Sequence, residues 1–252
     1  MPLDQDALGF DPGKVFDAVA SNYEANRPTY PAALFDALER AVGPLAGRRV
    51  LDVGAGTGIS ARALAQRGAL VVAVDPSHAM ATTLRDASSG LAASLGRAEA
   101  LPVADGAAQL VTFAQAWHWV RLPDAAVECR RVLAPGGRLA LWWNVSEDEG
   151  AFFDALLDEC GIDRYGGRDR QDDRSSLVEV GGFASVRHDA VRWRWSVPLE
   201  HWMSTVQTRS ELAKLGPGAG ERLGAIEAVA RRFFPDGVVA EWFTARLAVA
   251  VP

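Results

Sequence analysis

The stretch Arg49–Gln66, RVLDVGAGTGISARALAQ, decides the fold. The apolar run Val50, Leu51 and Val53 meets glycines at alternate positions, Gly54, Gly56 and Gly58. Good helix formers then follow from Ser60 to Gln66. Strand, glycine turn and helix in that order make a ligand-holding unit. A glycine has no Cβ, so the backbone can come close to a bound molecule. The helix start offers N–H groups at the positive end of its dipole. The spacing narrows the ligand. A dinucleotide fingerprint needs G-x-G-x-x-G, and here Ile59 stands where its third glycine would be. The observed pattern is G-x-G-x-G, preceded by Asp52.

Outward from that turn the chain alternates strand and helix. A second strand, Leu70–Val74, ends in Asp75-Pro76-Ser77, and Ser77 suits the N-cap of a helix running to about Asp86. An acid at the tip of this strand fits a ribose diol, because its oxygens can accept from both hydroxyls. A third strand is expected near residues 92–96 and a fourth at Gln109–Phe113, leading into Ala114–Trp119. Pro123–Leu133 reads as helix stopped by Pro135-Gly136-Gly137, and Arg138–Trp143 as a fifth strand. Apolar strands without in/out alternation, separated by helices, indicate an α/β fold with a parallel sheet covered on both faces.

The flanks are less regular. Residues 1–13 read as a flexible N-terminus, and residues 14–48 as a helical cap with a helix at Lys14–Val19. Pro28 and Pro31 then shape a loop. Leu34, Ala37, Leu38, Ala41 and Val42 recur with helical period, ended by Gly43-Pro44. The core domain is expected over residues 49–252. Ala151–Cys160 is helical, Phe183–Trp195 a strand, and Val239–Val251 a closing strand. Between the last two, residues 198–236 form a helical insertion placed to act as a lid.

Composition bounds the partners. A length of 252 residues fits one large α/β domain, and 49% apolar residues suffice for its core. No apolar run is long enough for a bilayer, and the N-terminus lacks a basic-then-apolar secretion signal. A net charge of −6 argues against nucleic acid, which is bound by clustered Lys and Arg. Two cysteines, Cys129 and Cys160, make neither a disulfide framework nor a zinc site. The expectation is a cytoplasmic protein without metal, monomer or homodimer, acting on a small molecule.

The motifs VLDVGAGTG, VVAVDPS and RVLAPGGRLAL resemble those of the class I S-adenosylmethionine-dependent methyltransferases. YEANRPTYP and AQAWHWV resemble the small-molecule group that includes trans-aconitate-type enzymes. The likeness covers roughly residues 15–145. It implies a Rossmann-like, doubly wound, seven-stranded sheet, mostly parallel with an antiparallel last strand. The implied cofactor is S-adenosyl-L-methionine, with S-adenosyl-L-homocysteine as product. By the same resemblance Gly54, Ala55 and Gly56 line the methionine, Asp75 holds the ribose hydroxyls, and Pro76 lies beside the adenine. Many relatives carry Asp-Ala at the adenine edge. This chain has Arg97-Ala98-Glu99, so Ala98 and Glu99 are the expected contacts with the acid displaced. Gln115 and Ala116 lie under the methionine, with Tyr23 and Arg27 closing over it. Arg27 then pairs with the cofactor carboxylate.

Methyl transfer from a sulfonium is an in-line displacement, helped chiefly by positioning and exclusion of water. His118, after the fourth strand, is the candidate base or a shaper of the pocket. Trp117, Trp119, Trp142 and Trp143 end the fourth and fifth strands, and alternation turns about half of them away from any ligand. Trp117, Trp143 and Asn144 are the expected acceptor contacts, joined by Trp202, Met203 and Arg209 from the lid. The same residues leave other readings open: a nucleotide-dependent oxidoreductase, a nucleic-acid methylase, a sulfonium-cleaving cyclase or a cofactor-binding regulator.

Overall fold

The glycine turn sits at the middle of the sheet because the strand before it does. The computed structural model describes residues 27–88, 90–147, 150–161, 183–207 and 219–251. Helix α1 (Ala32–Val42) precedes β1 (Arg49–Val53), α2 (Ile59–Gln66), β2 (Leu70–Asp75), α3 (His78–Ala87), β3 (Ala92–Leu95) and β4 (Ala108–Ala114). A 3₁₀ turn at Trp117–Trp119 leads to α4 (Asp124–Val132), β5 (Leu133–Ser146), α5 (Ala151–Cys160), β6 (Ala184–Pro198), α6 (Leu199–Gln207), α7 (Ala219–Phe233) and β7 (Val238–Val251).

The seven strands form one sheet in the order β3-β2-β1-β4-β5-β7-β6. β1 pairs in parallel with β2 on one side and β4 on the other, and this is where the winding reverses. Ligands of open α/β sheets bind outside the carboxyl ends of the strands at such a switch point. β7 runs antiparallel to both neighbours, β5 and β6. The expected seven-stranded sheet with an antiparallel last strand is therefore present.

Alternation along each strand divides the core. Leu51, Val53, Val111, Phe113, Leu139, Leu141 and Trp143 pack on one face with Ala125, Ala126 and Cys129 of α4. Val50, Ala73, Leu110, Ala140 and Trp142 pack on the other with Leu34 and Leu38 of α1 and Leu64 of α2. Both faces being apolar explains why the parallel strands show no polar alternation. Ser77 caps α3, its hydroxyl accepting from Met80 N at 3.1 Å.

A third apolar cluster lies beyond the end of the sheet. Phe152 and Leu156 of α5, Trp202 and Met203 of α6 and Ile226 and Val229 of α7 meet Trp195 and Phe243 of the β6–β7 hairpin. Inside it the Trp202 indole N–H donates to the buried Glu241 carboxylate. Of these helices, α6 and α7 fall within residues 198–236. Among the described residues no helix is long and apolar enough to cross a membrane.

One boundary differs from expectation. Pro135-Gly136-Gly137 does not separate helix from strand, because β5 already begins at Leu133. Pairing jumps from Ala108↔Leu133 to Leu110↔Arg138, so the Pro-Gly-Gly segment is a bulge inside the strand. Gly136 takes φ 75°, and a Cβ at Gly137 would lie 2.9 Å from the Ala134 carbonyl oxygen. The residues that read as a stop are those that let the strand bulge. The expected flexible residues 1–13 and the Lys14–Val19 helix lie outside the described residues.

Candidate active site

Asp75, the last residue of β2, organises the carboxyl edge of the sheet. One carboxylate oxygen accepts from Gly56 N at 2.8 Å and the other from Ser77 N at 2.9 Å. A carboxylate can accept roughly four hydrogen bonds, so these two do not exhaust it. The first pins the glycine turn to β2. Gly54 N and Ala55 N add bonds to the Val74 carbonyl at 2.8 and 3.2 Å. The turn is thereby rigid before any ligand arrives.

Its glycines are required for stated reasons. Gly54 has φ 66°, and a Cβ there would meet Ala116 Cβ at 2.5 Å. Gly58 is the left-handed N-cap of α2 at φ 91°, and a Cβ there would press on Leu84 Cγ at 2.9 Å. Beneath the turn lies Asp52, fully buried. Its Oδ1 accepts from the Thr112 hydroxyl at 2.6 Å and from the Ser60 hydroxyl at 3.4 Å. Among the described residues its Oδ2 has no partner. Burial pushes this carboxyl up to about 7; the Thr112 and Ser60 hydroxyls pull it down, and the Asp75 charge adds a smaller upward push. Asp52 thus links β1, α2 and β4 under the turn.

A cleft enclosing about 820 Å³, part of it open to solvent, runs along this edge. Gly54, Gly56, Asp75, Pro76, Met80, Arg97, Ala98, Glu99, Gln115 and Ala116 line it. Phe113, Trp119 and Val120 complete the wall. The donor set suits a nucleoside with a flexible tail. It combines an acid for a diol, an apolar slot for a base and glycine backbone for the tail. Gln115 is the non-glycine residue at positive φ among the described residues, at 59°. Its N–H donates to the Trp142 carbonyl at 2.9 Å and its Nε2 to the Asn144 carbonyl at 3.2 Å. Bonds at both ends hold a conformation that disfavours most side chains.

Several expected residues thus share one cleft: Gly54, Gly56, Asp75, Pro76, Ala98, Glu99, Gln115 and Ala116. Glu99 also accepts from Arg121 N at 2.7 Å and stands 3.8 Å from the Arg97 guanidinium. Ala55 is buried and lies off the cleft wall, its amide turned to β2.

The tryptophans need more correction. Trp117 is buried edge-on against Phe113, and Trp143 is buried on the same face of the sheet; neither lines the cleft. Trp202 is buried with Glu241 in the helical cluster, with Met203 beside it. His118 is not on the cleft wall; its ring lies 4.7 Å from that of Trp119, which is. Asn144 gives its side chain to protein partners, donating to the Thr29 carbonyl at 2.9 Å and accepting from the Trp193 indole at 3.3 Å. Arg27 lies two residues before that carbonyl. Tyr23 and Arg209 lie outside the described residues.

Sequence reasoning missed Met80, Trp119 and Val120 as wall residues. Met80 carried a usable signal, since it sits in the first turn after the Ser77 cap and so faces the same edge as Asp75.

Comparison with known proteins agrees with this geometry. Residues 51–141 match the family described as a methyltransferase domain. An uncharacterised methyltransferase of Mycobacterium tuberculosis is 40% identical over 195 residues, covering 77% of this chain and 76% of that protein. The malonyl-[acyl-carrier protein] O-methyltransferase of Methylococcus capsulatus is 34% identical over 182 residues, covering 67% of this chain and 62% of that protein. Among solved structures, a putative type II methyltransferase from Anaeromyxobacter dehalogenans superposes with a TM-score of 0.70 at 23% identity, over 89% of this chain and 96% of that one. The mycobacterial likeness extends well beyond the matched domain, and the chain belongs to the class I S-adenosylmethionine-dependent methyltransferases.

Proposed function

We propose that the chain transfers the methyl group to a small-molecule acceptor with an oxygen, nitrogen or carbon nucleophile. The observation that carries this reading is the cleft wall. It is largely apolar, and its cation, Arg97, faces Glu99 rather than standing in a basic strip. A polyanion would call for clustered Lys and Arg along the edge. The O-methylating relative supports oxygen as one nucleophile.

When bound, S-adenosylmethionine supplies an electrophilic methyl on a positively charged sulfur. The chain's own residues do the rest. Asp75 would accept from the ribose hydroxyls, Pro76, Met80 and Val120 would hold the adenine, and Gly54 and Gly56 would let the backbone lie along the tail, with Gln115 and Ala116 beside it. Phe113 and Trp119 exclude water, which favours displacement by an aligned nucleophile. His118 shapes the wall through Trp119, in keeping with its 4.7 Å ring contact. An acceptor already ionised at neutral pH needs no protein base, so carboxylates come first among candidates.

Titration calorimetry tests the donor site. The wild-type protein is expected to bind S-adenosylhomocysteine with micromolar affinity, and Asp75→Ala to bind roughly 100-fold more weakly, the scale of two lost charge-assisted bonds. Unchanged affinity in the variant would remove Asp75 from the site. Labelled-methyl turnover with carboxylates, phenols and amines, and with RNA and DNA, tests the acceptor. Transfer to nucleic acid alone would overturn the proposal.

A further inference from the structure

Asn144 is the point where three parts of the rim meet. Its backbone carbonyl receives Gln115 Nε2, its Nδ2 donates to the Thr29 carbonyl, and its Oδ1 receives the Trp193 indole N–H. The partners fix the amide's orientation without ambiguity. A carbonyl oxygen can only accept and an indole N–H can only donate. Aspartate could serve the indole but not Thr29, and an aliphatic residue could serve neither.

Each partner is itself anchored. Tyr30, next to Thr29, packs edge-on against Trp142 at 6.1 Å and Phe35 at 6.4 Å. Trp193 stacks on Phe243 at 5.6 Å, and Phe243 meets Trp195 edge-on at 6.1 Å. Trp195 in turn touches the His201 ring on α6 at 5.8 Å. Gln115 is the cleft residue held at φ 59°.

We propose that Asn144 is a positioning residue that joins Gln115 in the cleft to the Arg27–Thr29 segment and to the β6–β7 hairpin, so that a ligand seated against Gln115 tightens both. Asn144 itself does not touch the acceptor; it sets the position of Gln115 relative to the two segments it anchors. A shift of about an ångström there is enough to spoil an in-line reaction. The inference rests on the reading that the cofactor occupies this cleft.

Hydrogen exchange and indole N–H spectra, recorded with and without S-adenosylhomocysteine, test it without any acceptor. In the wild-type protein the ligand is expected to slow exchange in Thr29–Phe35 roughly fivefold, the scale of one neutral hydrogen bond, and to shift the Trp193 indole signal. Asn144→Ala keeps its backbone carbonyl for Gln115, so protection of the glycine turn is expected to persist while both remote responses vanish. Asn144→Asp is expected to lose the Thr29 response alone, and Trp193→Phe, which assigns the indole signal by removing it, to keep the Thr29 response. These two conservative variants carry the test if the alanine variant is poorly folded. Ligand binding without a remote response in the wild type, or remote responses unchanged in the variants, would overturn this inference and leave the cofactor reading standing. Failure of the wild-type protein to bind the ligand would overturn both.

Discussion

At the carboxyl edge of the sheet the glycine-turn end is made by contacts close in sequence, the Asn144 end by contacts far apart. Gly56 reaches Asp75 across 19 positions, and Ser77 reaches it across 2. At the other end Asn144 reaches Thr29 across 115 positions, Trp193 reaches Asn144 across 49, and Thr244 reaches Glu147 across 97. The glycine-turn contacts are mainly backbone N–H groups on one carboxylate, while those around Asn144 are side chain to side chain or side chain to a distant carbonyl. A site built from local backbone geometry tolerates few residue types and so leaves a motif. One built from distant side chains can be met by many combinations and leaves none.

The contrast implies that damage to one end should spare the other. The largest effect is expected at Trp202, whose removal empties the centre of the helical cluster. Trp202→Ala should lower stability by roughly 3–5 kcal/mol, read by denaturant unfolding, while the folded fraction binds S-adenosylhomocysteine as tightly as wild type. Equal losses of stability and affinity would show that the two ends are one unit. Gly54→Ala attacks the glycine-turn end and should cost roughly 3 kcal/mol, combining left-handed backbone strain with overpacking. Adding Ala116→Gly removes the clashing methyl and should restore about two thirds of that loss. No restoration would mean that the turn needs glycine for φ alone.

The smallest effect concerns Asp52. Its folded-state carboxyl titrates near 7, above the ordinary 3.8, so the folded protein keeps a proton that the unfolded chain releases. That contribution is complete below about pH 4 and is lost as pH rises toward 7. Between pH 5 and 7.5 the ligand-free wild type should therefore lose on the order of 2 kcal/mol relative to Asp52→Asn. Parallel stability curves for the two proteins would show that Asp52 titrates in the ordinary carboxylate range.

The same contrast explains what the sequence revealed. Asp75 was readable because an acid at the tip of the strand after the glycine turn is the pattern a ribose diol calls for. The tryptophans were not, because residue type says nothing about strand parity. Trp117 and Trp143 look as plausible as Trp119 until the fold buries both in the core. Pro135-Gly136-Gly137 misled because a bulge and a stop call for the same residues. Asn144 was expected as an acceptor contact, but its side-chain partners come from the approach to α1 and from β6, and no spacing encodes that meeting.

The position of β7 carries a consequence for how the molecule is made. β7 lies between β5 and β6 although it is the last strand in the chain, and β6 has no other neighbour in the sheet. As the polypeptide emerges from the ribosome at about 5–20 residues per second, β1 to β5 can pair while β7 is still unsynthesised. For several seconds the nascent chain can hold a nucleoside pocket with no finished catalytic face. The edge of β5 stays open to other chains until the final strand slides in.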